Sequence, residues 1–176
     1  RAPTPLFPGP LPMSVGPIPQ GLANLSAQGC AACHFEAHQG WSESAHATGW
    51  RSPAFTEAMT AVAEPACDRC PLPLIEQRPR LYADEGGMDD ASQFVLNPAF
   101  SATLRTEGVS CVSCHVRDGV VLTTTPREER GPAPHPLALS TDLADGSACA
   151  SCHQLTWPGA STPFYDTYGE WSRSPW

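Results

Sequence analysis

The eight cysteines stand in four pairs, and in each pair two residues separate the members. The pairs are Cys30 and Cys33, Cys67 and Cys70, Cys111 and Cys114, and Cys149 and Cys152. A disulfide framework explains the even number but not the constant spacing. Two zinc ribbons, each made of two such pairs, explain both. Covalent attachment of haem c also explains both, and its signature adds a histidine directly after the second cysteine.

Histidine follows three of the four pairs, at His34, His115 and His153, whereas Pro71 follows Cys70. With 6 histidines in the chain, chance would produce this arrangement roughly twice in ten thousand trials, given the pairs. A zinc ribbon has no use for that histidine, whereas an attached haem takes an axial ligand from it. The spacing therefore favours three haems, each with the adjoining imidazole on its iron.

Three further histidines, His38, His46 and His135, match the number of predicted haems. Two imidazoles on one iron give a low-spin centre suited to electron transfer. His38 follows His34 by four residues on one face of a predicted helix, so it cannot reach the far side of the haem that His34 holds. It either reaches a neighbouring haem or packs in the interior. Prolines on both sides of His135 predict non-helical, extended backbone there.

Capping residues and prolines predict three helices around these residues. They run from Ser26 through Cys30 to Trp41, from Pro53 to about Ala63, and from Asn97 and Pro98 to near Gly108. Residues 119–124 form the one plausible strand pair, and residues 71–97 are expected to be irregular. The twenty prolines argue against a regular bundle or a wide sheet.

The first 24 residues are rich in proline and are expected to form an extended arm, followed by one domain over residues 25–176. The arm is either a linker or a strap along a partner or over a haem edge. Its apolar contacts would be Leu6, Phe7, Leu11 and Met13. The aromatic tail, with Trp157, Phe164, Tyr165, Tyr168, Trp171 and Trp176, would pack either on porphyrin or on itself.

The second cysteine pair departs from the others, because proline cannot ligate iron. We therefore expect no haem there and a Cys67–Cys70 disulfide instead. The disulfide would be a passive link or a redox-active pair, and the absence of a thioredoxin-like pattern favours the passive link. Residues 71–97 contain no histidine, and Met88 is either a sulfur ligand or an ordinary packed side chain.

The charge balance excludes other classes of function. Ten arginines, no lysine and 18 acidic residues give a net charge of −8, and no basic cluster for nucleic acid is present. No run of about 20 apolar residues predicts a membrane span. Cysteine usage predicts a periplasmic or extracellular protein whose signal peptide has been removed.

The motifs resemble those of the multihaem cytochrome c family related to tetrahaem cytochrome c554. The resemblance rests on Cys30–His34 followed by Trp41-Ser42-Glu43-Ser44-Ala45-His46-Ala47, on Glu107–Gly119, and on Cys149–Gln154. It implies that His46 is the distal ligand of a haem other than its neighbour, and that His135, followed by Pro136, is another distal ligand. Pro71 replaces the histidine of the family's second haem site. One remaining haem, expected to be the first, then takes His38, Met88 or an open sixth position.

Together these observations predict a mainly α, loop-rich trihaem cytochrome c with little regular β structure and a core formed largely by haems. Its expected function is electron transfer, as a carrier or as a conduit subunit of a larger redox complex. Its partners would be other redox proteins, such as haem proteins with basic docking surfaces. Two alternatives are a haem enzyme that acts on a small nitrogen or oxygen compound at a five-coordinate haem, and a zinc-stabilised interaction module.

Overall fold

The structure, a computed structural model, describes residues 6–7, 12–62, 70–82, 94–156 and 159–175. Short helices joined by loops dominate that part, which confirms the mainly α, loop-rich prediction. The helices are α1 (Ala27–Ala31), α2 (Phe35–Ser42), α3 (Ala45–Thr48), α4 (Pro53–Val62), α5 (Ala102–Glu107), α6 (Cys111–His115), α7 (Thr141–Ala144), α8 (Ser147–His153) and α9 (Thr167–Ser172). Each helix of the described part is too short or too polar to cross a membrane. Cys67, Met88, Leu11, Trp157 and Trp176 lie outside the described residues.

The helix predicted from Ser26 to Trp41 is two helices. Ser26 is the N-cap of α1, as predicted, and its hydroxyl accepts from the Gln28 amide at 3.2 Å. The amides of Cys33 and His34 both donate to the Cys30 carbonyl, at 3.2 and 2.9 Å. This tight turn ends α1, and α2 begins after His34. His34 and His38 still lie one helical turn apart, because the His38 amide donates to the His34 carbonyl at 2.9 Å.

The second predicted helix is confirmed at its start, and the third is wrong at its start. α4 begins at Pro53, and the Ser52 hydroxyl accepts from the Phe55 amide at 3.1 Å. Asn97 does not cap α5. Its side chain lies in a turn and donates to the carbonyls of Ile75 and Arg78, each at 2.8 Å. Ser101 is the N-cap instead, so long-range contacts of Asn97 override its local capping preference.

Within the described ranges, the strands form two small sheets rather than the single predicted pair. The segment 119–124, predicted to form a strand pair, contains one strand, β4 (Val120–Thr123). Its antiparallel partner β3 (Val116–Arg117) precedes that segment, and β5 (Leu137–Leu139) adds to β4 in parallel. β1 (Arg80–Tyr82) and β2 (Phe94–Leu96) pair antiparallel in the segment expected to be irregular. That expectation is wrong because the two strands are separated in a polar segment of the sequence, and no local pattern predicts that they pair. At the β3–β4 turn, Asp118 and Gly119 have φ of 49° and 80°, as a tight two-residue hairpin requires.

The small core of the described part includes a residue of the N-terminal arm. Val15 is completely buried, and it clusters with Leu74, Leu104, Val112 and Val116. Backbone hydrogen bonds join Met13 to both neighbours of Leu74: the Met13 amide donates to the Pro73 carbonyl and its carbonyl accepts from the Ile75 amide, at 3.0 and 2.9 Å. The described part of the arm therefore packs on the chain's own core, next to the α6 motif.

Gln77 is a buried polar residue that holds this core to the end of α5. Its side-chain oxygen accepts from the Leu74 amide at 3.0 Å. Its side-chain nitrogen donates to the carbonyls of Leu104 and Gly108, at 2.9 and 2.5 Å. The backbone before Cys111 is fixed as a result.

Candidate functional site

The motif Cys111–His115 forms the whole of α6, so both cysteines and the histidine project from one turn and a half of helix. The Ser113 hydroxyl accepts from the Ser110 amide at 3.2 Å and satisfies a donor at the start of the helix. At its end, the His115 Nδ1 contacts the Leu122 carbonyl of β4 at 2.9 Å. A carbonyl oxygen only accepts, so Nδ1 carries the proton and the lone pair lies on Nε2. This arrangement is typical of a metal-binding imidazole.

Arg117 holds the end of α6 and joins it to the N-terminal arm. Its guanidinium donates to the carbonyls of Ser113 and Val112, at 2.6 and 3.3 Å. It also donates to the Leu6 carbonyl, at 3.1 Å from one terminal nitrogen, and lies 5.3 Å from the ring centre of Phe7. Burial lowers the pKa of Arg117 from its ordinary value, and nearby Cys114 opposes this.

The first and third cysteine motifs open into one cavity of about 940 Å³. Its lining includes all three members of each motif and the three other histidines: Cys30, Cys33, His34, Cys111, Cys114, His115, His38, His46 and His135. This volume is at the upper end of the range of about 300–1,000 Å³ for small-molecule sites. The cavity is therefore large, and imidazoles and thiols converge on it.

The cysteines of the two motifs meet inside this cavity. A hydrogen bond from Cys111 lowers the pKa of the Cys30 thiol to about 7, against an opposing effect of burial. The same hydrogen bond, with burial, raises the pKa of Cys111. Burial also raises the pKa of Cys114. Cysteines that lie some eighty residues apart in the sequence are thus adjacent in space.

The last motif differs from these two, because the structure does not bring its cysteines into the shared cavity. Cys149 and Cys152 both lie on α8, where Cys149 is exposed and Cys152 is partly buried. Among the described residues, neither Cys149 nor Cys152 is part of the lining of the 940 Å³ cavity. The spacing of Cys149 and Cys152 on one helix matches that of Cys111 and Cys114 on α6. The motif nevertheless borders the cavity, because His153 lies 6.0 Å from His46, which is part of the lining.

His135 reaches the cavity from a loop that is fixed on both sides. The Pro136 carbonyl accepts from the Val121 amide of β4 at 2.9 Å. On the other side, Gly21 has φ of 89°, and a Cβ there would lie 1.9 Å from the Pro134 carbonyl oxygen. The Nδ1 of His135 is buried and has no hydrogen-bond partner among the described residues. An unpaired buried nitrogen is costly, and an imidazole that binds a group in the cavity would remove that cost.

His46 lies close to His153, the histidine of the last motif. The ring centres of His46 and His153 are 6.0 Å apart, with planes tilted by 57°. Two imidazoles on opposite sides of one metal have ring centres roughly 6 Å apart, because each metal–nitrogen bond is about 2 Å and each ring centre lies about 1 Å beyond the nitrogen. Burial and the neighbouring His153 both lower the pKa of His46, which favours the neutral, ligating form. The Val109 amide donates to the His46 carbonyl at 2.9 Å and fixes this segment to the start of the α6 motif.

A polar cluster directly after Cys152 and His153 sets the position of α9 against α8. The Gln154 side chain donates to Asp166 at 2.6 Å and accepts from the Gly169 amide at 2.9 Å. Arg173 pairs with Asp166 at 2.5 Å. The Tyr165 ring lies 6.0 Å from His153, so the described part of the aromatic tail borders this motif.

His38 both packs against protein and faces the cavity. Its ring centre is 5.4 Å from that of Trp41, and the Trp41 indole donates to the Val109 carbonyl at 2.8 Å. The position next to Trp41 agrees with the packing role, while the cavity lining keeps the ligand role open.

A protein-family model described as cytochrome c554 and c-prime matches residues 29–116, half of the chain. The chain belongs to this family. The resemblance inferred from the motifs is thereby confirmed, and the protein is a c-type cytochrome, a class of haem proteins that transfer electrons. No curated protein and no solved structure is significantly similar to it.

The matched segment of the cytochrome includes the first three cysteine pairs and His46. His135 and the last motif, with Cys149, Cys152 and His153, follow the matched segment. Their role therefore rests on the geometry described above and on their own residues. The match alone does not set the number of haems.

The roles of two residues of this site, Arg117 and Gly108, could not be predicted from a haem-attachment motif. Arg117 follows His115 by two residues, and its contacts with α6 and Leu6 arise only when the hairpin and the arm come together. Gly108 has φ of 64°, and a Cβ there would lie 2.6 Å from the His46 carbonyl oxygen. The sequence predicts that a helix ends at Gly108, but it does not predict that the backbone of His46 lies against this glycine.

Proposed function

We propose that the cytochrome carries three covalently attached haems and transfers single electrons between redox partners. The attachment pairs would be Cys30 and Cys33, Cys111 and Cys114, and Cys149 and Cys152, with His34, His115 and His153 as proximal ligands. Each attached haem supplies an iron that alternates between the ferric and ferrous states. The observation that carries the proposal is the convergence of two motifs and three further histidines on one cavity of about 940 Å³.

The distal ligands follow from the positions of the other histidines. His46 would share an iron with His153, a proposal supported by their 6.0 Å separation. His135 would bind one of the two haems in the shared cavity, a proposal supported by its buried, unpaired Nδ1. The other haem in the cavity would take His38, Met88 or an open position.

The remaining residues of the site would orient the ligands. The Leu122 carbonyl keeps the His115 Nε2 free for metal, and this kind of support outside the ligand shell tunes a metal site. Haems in the cavity would supply most of the apolar interior, because the buried cluster of the described part consists of only a few aliphatic side chains.

Several other expectations stay part of the proposal. The protein would act in the periplasm or outside the cell, as a carrier or a subunit of a redox complex, with a Pro-rich arm over residues 1–24 and a trihaem domain over 25–176. Cys67 and Cys70 would form a disulfide and bind no haem, since an oxidising compartment permits the bond.

Intact-mass spectrometry of the purified protein tests the haem number. We expect the mass of the polypeptide plus three haems, together with Soret absorbance. Replacing both cysteines of one motif by alanine, for example Cys149 and Cys152, should remove one haem, whereas the matched replacement of Cys67 and Cys70 should remove none. A colourless protein of polypeptide mass would refute the proposal. Loss of a haem from the variant without Cys67 and Cys70, or no loss from the variant without Cys149 and Cys152, would refute the assignment of the three sites.

A second candidate function is favoured by the count of distal groups in the shared cavity. His34 and His115 both face it. Of the other histidines in its lining, His46 would bind the iron of His153, and His38 packs on Trp41. Only His135 among them has a buried nitrogen without a partner in the described residues. One iron would then be five-coordinate and could act on a small nitrogen or oxygen compound. A high-spin signal that changes on addition of carbon monoxide would support this enzyme. A purely low-spin spectrum that carbon monoxide does not change would support the electron carrier.

A further inference from the structure

A cationic–aromatic patch lies at the surface beside the His46 segment and consists of Trp50, Arg51 and Arg105. The guanidinium carbons of Arg51 and Arg105 lie 6.0 and 5.7 Å from the ring centre of Trp50. Neither arginine forms an ion pair with a described carboxylate. Arg51 is exposed and Arg105 is partly exposed. Two positive charges without a described counter-charge therefore flank one indole in a protein whose net charge is −8.

The nearby carboxylate of α5 does not neutralise the patch, because it is used elsewhere. Glu107 accepts hydrogen bonds from the Ser26 hydroxyl at 2.5 Å and from the Ala27 amide at 3.0 Å. The Arg105 guanidinium donates to the Gln77 carbonyl at 3.1 Å, a contact that orients it without cancelling its charge. The positive charge of the patch is thus held in place and stays available to a partner.

The backbone that holds His46 also supports Trp50. A single-turn 3-10 helix, Gly49–Arg51, follows α3, which carries His46. The Trp50 indole donates to the Thr106 carbonyl at 3.4 Å. At Gly108 the two groups meet: a Cβ there would lie 2.6 Å from the His46 carbonyl oxygen and 2.9 Å from Trp50 Cδ1. The patch is therefore packed directly against the His46 segment.

We propose that the Trp50–Arg51–Arg105 patch is the docking surface for an acidic redox protein, which exchanges electrons with the haem that His46 and His153 would share. The inference rests on the proposed function for that haem. Tryptophan and arginine are the residues most enriched at the energetic centres of protein interfaces, and charge complementarity raises the rate of encounter. The overall negative charge predicts a basic partner, but the local field at this patch selects an acidic one.

The experiment measures electron transfer into the haem-loaded protein by stopped flow at low ionic strength. Reduced flavodoxin, an acidic protein, gives up one electron and a ferric iron of the cytochrome accepts it. Replacing Arg51 and Arg105 together by glutamine should lower the second-order rate constant by at least about fivefold, and added salt should reduce the difference. Arg127→Gln is the matched control, because Arg127 is exposed and lies in another segment. It should change the rate constant by less than about 1.5-fold.

A rate measurement with a small anionic oxidant distinguishes protein docking from simple charge attraction. Hexacyanoferrate(III) oxidises the reduced protein, and its rate constant reports the local charge alone. If the double variant does not slow flavodoxin, if it slows hexacyanoferrate(III) as much as flavodoxin, or if Arg127→Gln slows flavodoxin equally, the docking proposal is wrong. Haem count and Soret spectrum are measured on every variant, so an absence of covalent haem would show failure of the proposed function rather than of the patch.

Discussion

Replacement of Gln77 by leucine tests whether a buried side-chain amide holds the haem-bearing part of the chain together. Gln77 is fully buried. Its side chain joins the Leu74 amide to the carbonyls of Leu104 and Gly108. Leucine has a similar volume, so the substitution removes the hydrogen bonds and leaves little cavity.

The expected loss of stability is estimated from the backbone groups that lose their hydrogen bond to the Gln77 side chain. One buried N–H and two carbonyls would be left without the amide, and each unsatisfied buried group costs about 1–3 kcal/mol. Because the carbonyls can relax toward other donors, we expect the free energy of unfolding to fall by about 4 kcal/mol. A typical domain has a total stability of about 5–15 kcal/mol, so a loss of this size is large.

Urea unfolding of the haem-loaded protein, followed by far-UV circular dichroism, measures this change. Gln20→Leu is the control, since Gln20 is exposed in a turn, and it should stay within about 0.5 kcal/mol of the unmodified protein. The covalent haem count should be unchanged in both variants. A loss of less than about 1 kcal/mol for Gln77→Leu would show that the buried amide does not hold the core to α5.

Two further predictions concern Arg117 and Asp166. Arg117→Met should lower the free energy of unfolding by about 2–4 kcal/mol, because the carbonyls of α6 and Leu6 lose a charged donor. Hydrogen exchange at the Leu6 amide should become faster, and unchanged exchange there would contradict the proposed anchoring of the arm. The hydrogen bonds from Arg173 and Gln154 hold the pKa of Asp166 below its ordinary value, so its carboxylate stabilises the fold above the unfolded-state pKa of about 4. That contribution is lost as pH falls through the lower folded-state pKa. Asp166→Asn should therefore be less stable than the unmodified protein at pH 7, with the difference vanishing in acid, and a constant difference from pH 7 to pH 2 would refute this explanation.

Features encoded by neighbouring residues could be predicted from the sequence. Ser26 begins a helix because its hydroxyl accepts from an amide two residues away. Pro53 begins another because it lacks an amide proton at a position where none is needed. The helix that precedes the α6 motif ends at Gly108, whose φ of 64° suits glycine.

Features that depend on distant contacts could not be predicted in the same way. Asn97 has the residue type of a cap, but its amide bonds to Ile75 and Arg78 place it in a turn. The pairing of β4 with β5 joins strands separated by a proline-rich loop, and no local pattern marks it as parallel. The 6.0 Å distance between the rings of His46 and His153 depends on long-range contacts such as the hydrogen bond from the Val109 amide to the His46 carbonyl.

The sequence also does not predict where the cysteine motifs lie relative to one another in space. The spacing of Cys149 and Cys152 is identical to that of the other two pairs that precede a histidine. The sequence therefore gives no reason to separate them, yet within the described part of the chain the structure brings only Cys30 and Cys33, and Cys111 and Cys114, to the shared cavity. Contacts of α8 with α9, such as those of Gln154 with Asp166 and Gly169, decide where Cys152 lies.

The difference between features encoded by neighbouring residues and features that depend on distant contacts bears on the segment that follows the cysteine pair without a histidine. Attachment motifs are local and can be found from their spacing, whereas apolar cover for the chain around them is a long-range property. Directly after Pro71, Leu72 and Leu74 are 2% and 0% exposed. Leu74 packs with Val15 of the N-terminal arm, and Met13 bonds to the backbone on both sides of Leu74. Because Val15 of the arm packs on Leu74, this segment has apolar cover from the chain itself, which supports the proposal that no haem is bound at the pair followed by Pro71.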